Sequence, residues 1–173
     1  IANGSPIGDS MPCLMALGAT LHLRRGEKTR HVAMESFYTG QKQNVLKPGE
    51  FIEAIELPKP VRGHRFHAHK VSKRFEQDIS ATCCALHYRV VKGVLKDVRL
   101  AYNGLTPWPA RAPKIEAELE GRAPGEVTPQ ALDAAIAASF TPRDGLRATW
   151  AYRALIARNL VLQFLESAAE ETV

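Results

Sequence analysis

Apolar and polar residues follow two different periods along the chain. From Leu21 to Tyr102 they alternate in short runs separated by glycine and proline, which predicts β-strands. From Ala110 onward the apolar positions recur every three or four residues, which predicts amphipathic helices. Strands followed by helices are typical of an α+β fold in which the helices cover one face of a sheet.

The first 60 residues are predicted to contain a helix, a hairpin and a further strand. The helix is expected at residues 11–17, with Asp9 or Ser10 as its N-terminal cap and Gly18 at its end. The strands are expected around residues 21–24, 32–34 and 51–57, with turns at 26–27 and 48–49. The segment 59–63, rich in proline and charge, is expected to be a boundary.

The second part is predicted to be a three-stranded antiparallel sheet packed on a helical bundle. Its strands are expected at residues 65–74, 82–91 and 94–102, and the tight turn Lys92-Gly93 makes the last two antiparallel neighbours. Helices are expected at 112–119, after Thr128-Pro129, and at 147–168. The last one carries an apolar stripe of Trp150, Ala154, Ala157, Val161, Phe164 and Ala168.

Charge and cysteine content limit the classes of partner. The net charge is +5, but the basic residues are scattered and not interleaved with aromatic residues, so we expect no nucleic-acid binding. A charged partner subunit or an anionic cofactor accounts for the excess of positive charge equally well. No apolar run approaches the roughly 18 residues of a membrane span. The three cysteines form no Cys-x-x-Cys pair, which favours a reducing cytoplasm.

Three histidines form the nearest approach to a metal site. His67 and His69 are expected on one strand face, with His64 close in sequence. Such a pair can share a metal ion, but no third ligand lies nearby in the sequence. A polar strand face is therefore the preferred interpretation, and no metal site is predicted.

The opening run, Asn3-Gly4-Ser5-Pro6-Ile7-Gly8-Asp9, lets backbone amides approach a ligand and then starts a helix. It resembles the second flavin-contacting segment of the molybdenum hydroxylase flavoproteins, in particular the FAD-binding small subunits of bacterial xanthine dehydrogenases. Later strings resemble the same module in the same order: Phe37-Tyr38-Thr39-Gly40, Pro48-Gly49-Glu50, Lys70-Val71-Ser72-Lys73-Arg74, Asp78-Ile79-Ser80-Ala81, Leu100-Ala101-Tyr102-Asn103-Gly104 and Thr149-Trp150-Ala151-Tyr152-Arg153.

The resemblance implies two domains and a larger enzyme. Residues 1–60 would be the C-terminal part of an FAD-binding domain of the vanillyl-alcohol oxidase type, and residues 64–173 a CO dehydrogenase flavoprotein-like C-terminal domain. The implied cofactor is FAD, while two iron–sulfur clusters and molybdopterin would lie on parts absent from this chain. The implied partners are a molybdenum-binding large subunit, the iron–sulfur domain of the same subunit, and NAD.

The implied activity is that of xanthine dehydrogenase in purine catabolism. Hypoxanthine and xanthine would be oxidised to urate at molybdenum, and electrons would pass through the iron–sulfur clusters and FAD to NAD⁺. Since the chain starts inside a motif, we expect it to be a piece that is inactive alone and binds FAD weakly. Two alternatives stay open: a non-catalytic subunit-docking domain, and the flavoprotein of another molybdenum hydroxylase acting on carbon monoxide or an aldehyde.

Four residues are assigned to the flavin by the resemblance, and none is expected to be catalytic. Ser5 and Asp9 would line the ribityl side, and Ile52 would meet the isoalloxazine ring. Lys70 would reach the pyrimidine end, where a cation raises the reduction potential. From the residues alone, Asp9 is equally well a helix cap, Ile52 a strand core residue and Lys70 a solvated lysine.

Asn3 and Asp78 are candidates of second rank near the flavin. Asp78 belongs to the loop 76–78, which by resemblance borders the approach of the nicotinamide. An aspartate at the start of a strand is also common without any function.

Overall fold

The structure, a computed structural model, describes residues 1–74 and 78–170. Up to residue 60 the elements are α1 (Ser10–Ala16), β1 (Thr20–Arg25), β2 (Lys28–Ala33), a 3-10 turn (Met34–Ser36), β3 (Tyr38–Gly40), β4 (Gln43–Asn44) and β5 (Phe51–Glu56). The later elements are β6 (His64–Ser72), β7 (Ser80–Val91), β8 (Val94–Asn103), β9 (Ala110–Arg111), α2 (Pro113–Leu119), a 3-10 turn (Pro124–Glu126), α3 (Pro129–Ser139) and α4 (Trp150–Glu170). The predicted α+β fold is confirmed.

The first part of the chain is a small antiparallel sheet that packs on α1. Its strand order is β2-β1-β5, and a separate short hairpin pairs β3 with β4. Leu21 and Leu23 of β1 are buried in one cluster with Met11 and Met15 of α1. The alternating pattern of β1 therefore gives the sheet one apolar face, which covers the short helix.

The second part is an antiparallel sheet in the order β6-β7-β8-β9. Lys92 and Gly93 connect β7 to β8 with φ angles of 52° and 79°. Two successive positive φ values are those of the hairpin turn that the sequence predicts. Strand β9, which spans two residues, was not predicted because so short a segment leaves no periodicity to detect.

One face of this sheet packs on the helices. Leu86 and Tyr88 of β7 and Leu100 and Tyr102 of β8 are buried in one cluster with α2, α3 and α4. The Tyr102 hydroxyl donates to the carbonyl of Ala157 at 3.0 Å, which ties the sheet to α4. Burial with a satisfied hydroxyl explains why a tyrosine is tolerated in the core.

The opposite face of the sheet packs on α1. Ala85 and Ala101 are cross-strand partners and are fully buried, and α1 contacts both β7 and β8. Small side chains here let the helix approach the sheet closely. Arg99 donates to the carbonyls of Met15 and Ala16 at the C-terminal end of α1, at 2.8 and 3.2 Å. A cation there satisfies carbonyls that the helix leaves unpaired.

Because α1 belongs to the first part and the sheet to the second, the two parts share an apolar interface. The division into domains at residues 60–64 stays a prediction. None of the helices among the described residues is long and apolar enough to cross a bilayer.

The histidines pack against rings. The His67 ring lies between Tyr88 and Phe164, with centroid distances of 5.7 and 5.3 Å, and burial lowers its pKa. His64 stacks on His87 at 5.0 Å, and His69 is exposed. His67 therefore contributes to the helix-side core, contrary to a purely polar strand face.

Gly104 provides a test of the packing where the chain leaves β8 beside Ala81 of β7. Its φ is +79°, and a Cβ there would lie 2.4 Å from the carbonyl oxygen of Ala81. We expect Gly104→Ala to lower the free energy of unfolding by roughly 3 kcal/mol or more, since backbone strain and overlap combine. Gly93→Ala is the matched control because Gly93 has the same φ of +79° with open space around it. It should cost only about 1 kcal/mol, and equal losses in urea denaturation would contradict the predicted overlap.

Candidate functional site

Asp9 lies at the start of α1 but does not cap it. Its backbone is helical, with φ −76° and ψ −26°, and no side chain forms a cap hydrogen bond at this terminus. Asp9 therefore occupies the predicted N-cap position, but its side chain does not cap the helix. The Asp9 carboxylate instead turns toward the second sheet, where it meets three side chains.

These three side chains and Asp9 form a hydrogen-bonded group, here called the Asp9 cluster: Asp9, Lys70, Ser80 and Asn103. The Lys70 ammonium lies 2.9 Å from Oδ2 of Asp9. On the other oxygen, Oδ1, Asn103 Nδ2 donates at 2.9 Å and the Ser80 hydroxyl donates as well. The Asp9 carboxylate thus contacts one donor from each of three adjacent strands, β6, β7 and β8.

Strand register explains why Lys70 and Asn103 meet. Lys70 pairs with Cys83, and Cys83 pairs with Asn103, so the three form one row across the sheet. Cross-strand partners project from the same face, and this face is the one that α1 covers. The Asn103 amide is also oriented from the sheet, because its Oδ1 accepts from the Cys83 amide at 2.5 Å.

The cluster has a buried floor and an open edge. Ser80 and Asn103 have no exposed surface, while the Asp9 and Lys70 side chains are 36% and 39% exposed. Burial by itself raises the pKa of Asp9, but hydrogen bonds from Ser80, Lys70 and Asn103 outweigh it and hold the pKa below 3.8. Asp9 is therefore ionised at neutral pH.

Magnitudes separate the roles of the three donors. A hydrogen bond to a charged acceptor contributes about 1.5–3 kcal/mol, whereas a part-exposed ion pair contributes about 0–1 kcal/mol. The fully buried donors Ser80 and Asn103 therefore fix the carboxylate, and the part-exposed Lys70 is held less tightly and can also reach a ligand. Its ammonium has three N–H groups, and Asp9 takes one of them.

A flavin fits this donor set. The pyrimidine edge of an isoalloxazine presents carbonyl and ring-nitrogen acceptors, which the remaining N–H groups of Lys70 match. The part-exposed Asp9 carboxylate can accept from ribityl hydroxyls. These two residues would hold the cofactor from the sheet side.

The opening turn supplies fewer free amides than expected. The amides of Gly4 and Gly8 donate to the carbonyls of Ile1 and Ser5, and the Ser5 amide donates to Asn3 Oδ1 at 3.3 Å. The Ser5 hydroxyl accepts from the Ile7 amide at 3.4 Å, so its own hydrogen remains available to a ligand. Ser5 can thus contribute through its side chain, and Asn3 acts by shaping the turn.

Ile52 lies on β5 opposite Leu23 and packs, half-buried, against the cluster that contains Met11. Its assignment to the isoalloxazine remains a prediction.

Asp78 supports the loop before β7 and stands outside the cluster. It accepts from the amides of Arg74 and Ile79 at 2.9 and 2.8 Å, and these bonds help to lower its pKa. Glu76 and Gln77 lie outside the described residues.

Ser80 and Asn103 were missed by residue-by-residue reasoning. Both stand inside strings that resemble the flavoprotein module, Asp78-Ile79-Ser80-Ala81 and Leu100-Ala101-Tyr102-Asn103-Gly104. A small polar residue at the start of β7 and an amide at the end of β8 were the available signals. Only the three-dimensional structure shows that both donate to Asp9.

Two cysteines adjoin the cluster. The thiols of Cys13 and Cys83 both donate to the carbonyl oxygen of Asp9, at 3.7 and 3.8 Å, and each thiol shifts the pKa of the other. A hydrogen bond from Cys83 lowers the pKa of Cys13 to about 7, while the same pairing and burial raise that of Cys83. The part-exposed Cys13 is the thiol that ionises.

Comparison with known proteins places this geometry in a family. The model for the FAD binding domain in molybdopterin dehydrogenase matches residues 1–60, and the CO dehydrogenase flavoprotein C-terminal domain matches residues 67–168, more than half of the chain. The chain belongs to the flavoproteins of the molybdopterin-dependent dehydrogenases. The prediction of FAD as cofactor is confirmed at this level.

Individual relatives agree with this assignment. The carbon monoxide dehydrogenase medium chain of Afipia carboxidovorans is 32% identical over 173 residues, covering 96% of this chain and 58% of the relative. Xanthine dehydrogenase/oxidase of Gallus gallus is 37% identical over 125 residues, covering 70% of this chain and 9% of the relative. A structure of carbon monoxide dehydrogenase from Hydrogenophaga pseudoflava superposes with a TM-score of 0.82 at 27% identity, covering 94% of this chain and 56% of that one.

The depressed pKa of Asp9 predicts an acid dependence of stability. The Asp9 carboxyl has a lower pKa in the folded chain than in the unfolded chain. It therefore stabilises the fold at pH values above the unfolded pKa, and this stabilisation is lost as the pH falls through the folded pKa. Asp9→Asn should therefore be less stable than the wild type at pH 7, by about 1 kcal/mol, with the gap closing toward pH 2. Urea midpoints across this range test it, and a gap independent of pH would contradict it.

The thiol pair predicts selective alkylation at the Asp9 cluster. Iodoacetamide should modify Cys13 before the buried cysteines, with a rate that rises through pH about 7. Cys83→Ala should move this midpoint upward because the hydrogen-bond donor is gone. Cys84→Ala is the control, since Cys84 belongs to the helix-side core. Mass spectrometry identifies the modified residue, and a midpoint indifferent to Cys83→Ala would refute the pairing.

Proposed function

We propose that this chain is the isoalloxazine-side part of the flavoprotein of a cytoplasmic xanthine dehydrogenase. The holoenzyme would oxidise hypoxanthine and xanthine to urate and pass the electrons through FAD to NAD⁺. The observation that carries the proposal is the meeting of Asp9 and Lys70, at 2.9 Å, beside the turn that matches the FAD-binding family model.

Sequence similarity supports xanthine as the substrate. The Gallus gallus xanthine dehydrogenase/oxidase is 37% identical to this chain over its matched stretch, against 32% for the carbon monoxide dehydrogenase medium chain. The matched stretch is shorter, however, at 125 against 173 residues. Substrate choice would lie on the molybdenum-binding subunit, which together with the iron–sulfur domain is the partner that we propose.

FAD would accept electrons and pass a hydride to the nicotinamide acceptor when it is bound. Lys70 would donate to the pyrimidine edge, and Asp9 and Ser5 would bind the ribityl hydroxyls. Ile52 would present an aliphatic surface to the ring. The Asp9 carboxylate has a further effect, since it offsets the charge of Lys70 and so limits how far that cation raises the flavin potential.

A second candidate is the medium chain of a different molybdenum hydroxylase. The carbon monoxide dehydrogenase medium chain and the glyceraldehyde dehydrogenase medium chain of Sulfolobus acidocaldarius match 96% and 98% of this chain, a coverage that the Gallus relative does not reach. Activity of the purified holoenzyme with xanthine, carbon monoxide and glyceraldehyde, each with NAD⁺ and an artificial acceptor, separates the two. Turnover of xanthine with NAD⁺ supports the proposal, and turnover of the other substrates alone refutes it.

Opposite charge changes at the Asp9 cluster should move the flavin potential in opposite directions. Asp9→Asn removes the charge that offsets Lys70, so the potential of the FAD-loaded holoenzyme should rise. Lys70→Met removes the cation and leaves the negative charge of Asp9 uncompensated, so the potential should fall. Each shift should be on the order of 30 mV, which corresponds to about 1.4 kcal/mol for two electrons.

Asp97→Asn is the matched control for these potentials. Asp97 pairs with Arg89 near the opposite end of the sheet, so its loss removes the same charge without touching the cluster. A spectroscopic redox titration measures all three variants. If Asp9→Asn and Lys70→Met both leave the potential at the wild-type value, FAD does not lie against the Asp9 cluster, and a subunit-docking role becomes the better account of this chain.

A further inference from the structure

A second polar site lies at the far side of the opening turn. A cavity of about 700 Å³ is lined by Pro6 and Ile7, by the segment Gly104–Pro107, and by the loop that leads into α4. Three arginines line it: Arg143, Arg147 and Arg153. The Asp9 cluster does not include any of them.

The charge in this cavity is not balanced. None of the three arginines forms an ion pair with a carboxylate among the described residues. Asp144 also lines the cavity, but its Oδ1 accepts from the Trp150 amide at 2.7 Å and so caps α4. Three cations and one engaged carboxylate leave an excess of positive charge facing the cavity.

Arg153 is the arginine whose hydrogen bonding best suits an anionic ligand. Its Nε is buried, with no hydrogen-bond partner in the part of the chain that the structure describes, while its Nη1 donates to the carbonyl of Gly104. A buried guanidinium N–H without a partner is unfavourable. Desolvation, and then the nearby charge of Arg147, lower the pKa of Arg153. An anion bound beside Arg153 would raise this pKa again.

The remaining lining suits a base or ribose. Leu105, Pro107, Phe140 and Pro142 contribute apolar surface beside the arginines. Guanidinium groups bind phosphate oxygens in pairs, and a pyrophosphate carries two negative charges to match the excess. A volume of about 700 Å³ lies within the usual range for a small-molecule site.

We propose that this cavity binds the pyrophosphate of a dinucleotide, with Arg143, Arg147 and Arg153 as its ligands. The inference rests on the proposed function and deepens it, because the site adjoins the opening turn. Gly104 donates to the carbonyl of Pro6 at 3.0 Å, and its neighbour Asn103 donates to Asp9. Two sources can supply this chemistry, the nicotinamide acceptor and FAD itself.

Calorimetric titration of the 173-residue chain tests the binding, with ADP-ribose as the probe and adenosine as the probe without phosphate. We expect ADP-ribose to bind and adenosine to bind at least tenfold more weakly. Arg147→Gln should weaken ADP-ribose about tenfold, the order expected from one charge-assisted hydrogen bond, and Arg143→Gln with Arg147→Gln should weaken it further. Arg62→Gln is the control, since Arg62 is an exposed arginine of the linker and does not line the cavity.

Three results would overturn the proposal: no ADP-ribose binding to the wild type, equal binding of adenosine, or a double variant that binds as tightly as the wild type. Titrations with NADH and with FAD identify the source. If NADH still binds to FAD-saturated protein in an Arg147-dependent manner, the ligand is the acceptor. If FAD instead displaces ADP-ribose, the ligand is the flavin's own pyrophosphate.

The outcome is separable from that of the proposed function. Asp9→Asn should leave ADP-ribose binding unchanged, because Asp9 does not line the cavity. Arg147-dependent binding together with a flavin potential indifferent to Asp9 would uphold this site and reject the proposed function. A flavin potential that changes in Asp9→Asn, together with no Arg147-dependent binding of ADP-ribose, would uphold the proposed function and reject this site.

Discussion

The Asp9 carboxylate is the interaction on which the rest of the site depends. It comes from the helix α1 in the first part of the chain, and its partners come from three adjacent strands in the second part. An ionised carboxylate at a part-buried position is unfavourable unless hydrogen bonds and a cation compensate for desolvation. The arrangement therefore fixes α1, the opening turn and the sheet in one register.

This register is possible because both faces of the second sheet are covered. Large residues such as Tyr88 and Tyr102 face the helices, while Ala85 and Ala101 face α1. The alanines let α1 approach closely, and Arg99 holds its C-terminal carbonyls. Close packing at one end of α1 and the Asp9 bonds at the other determine where the opening turn lies. Pro6 and Ile7 of that turn line the arginine-lined cavity, and Asp9, which follows them, belongs to the Asp9 cluster.

Local pattern predicted much of the fold. The turn at Lys92-Gly93, the cap at Thr128 and the apolar stripe of α4 each follow from nearby residues, and each is confirmed. The resemblance selected Asp9 and Lys70, which the structure brings into contact. Contacts that depend on register across three strands could not be predicted this way, which is why Ser80 and Asn103 were missed. Asp9 occupies the predicted N-cap position, but its carboxylate accepts from long-range donors instead of the local amides.

The most direct measurement is a crystal structure of the FAD-loaded flavoprotein that contains this chain. The account predicts that Lys70 Nζ lies within about 3.2 Å of an acceptor on the pyrimidine edge of the flavin while remaining beside Asp9. It also predicts that the Ser80 and Asn103 bonds to Asp9 are unchanged. An isoalloxazine bound elsewhere, with water alone at the open edge of the Asp9 cluster, would contradict it.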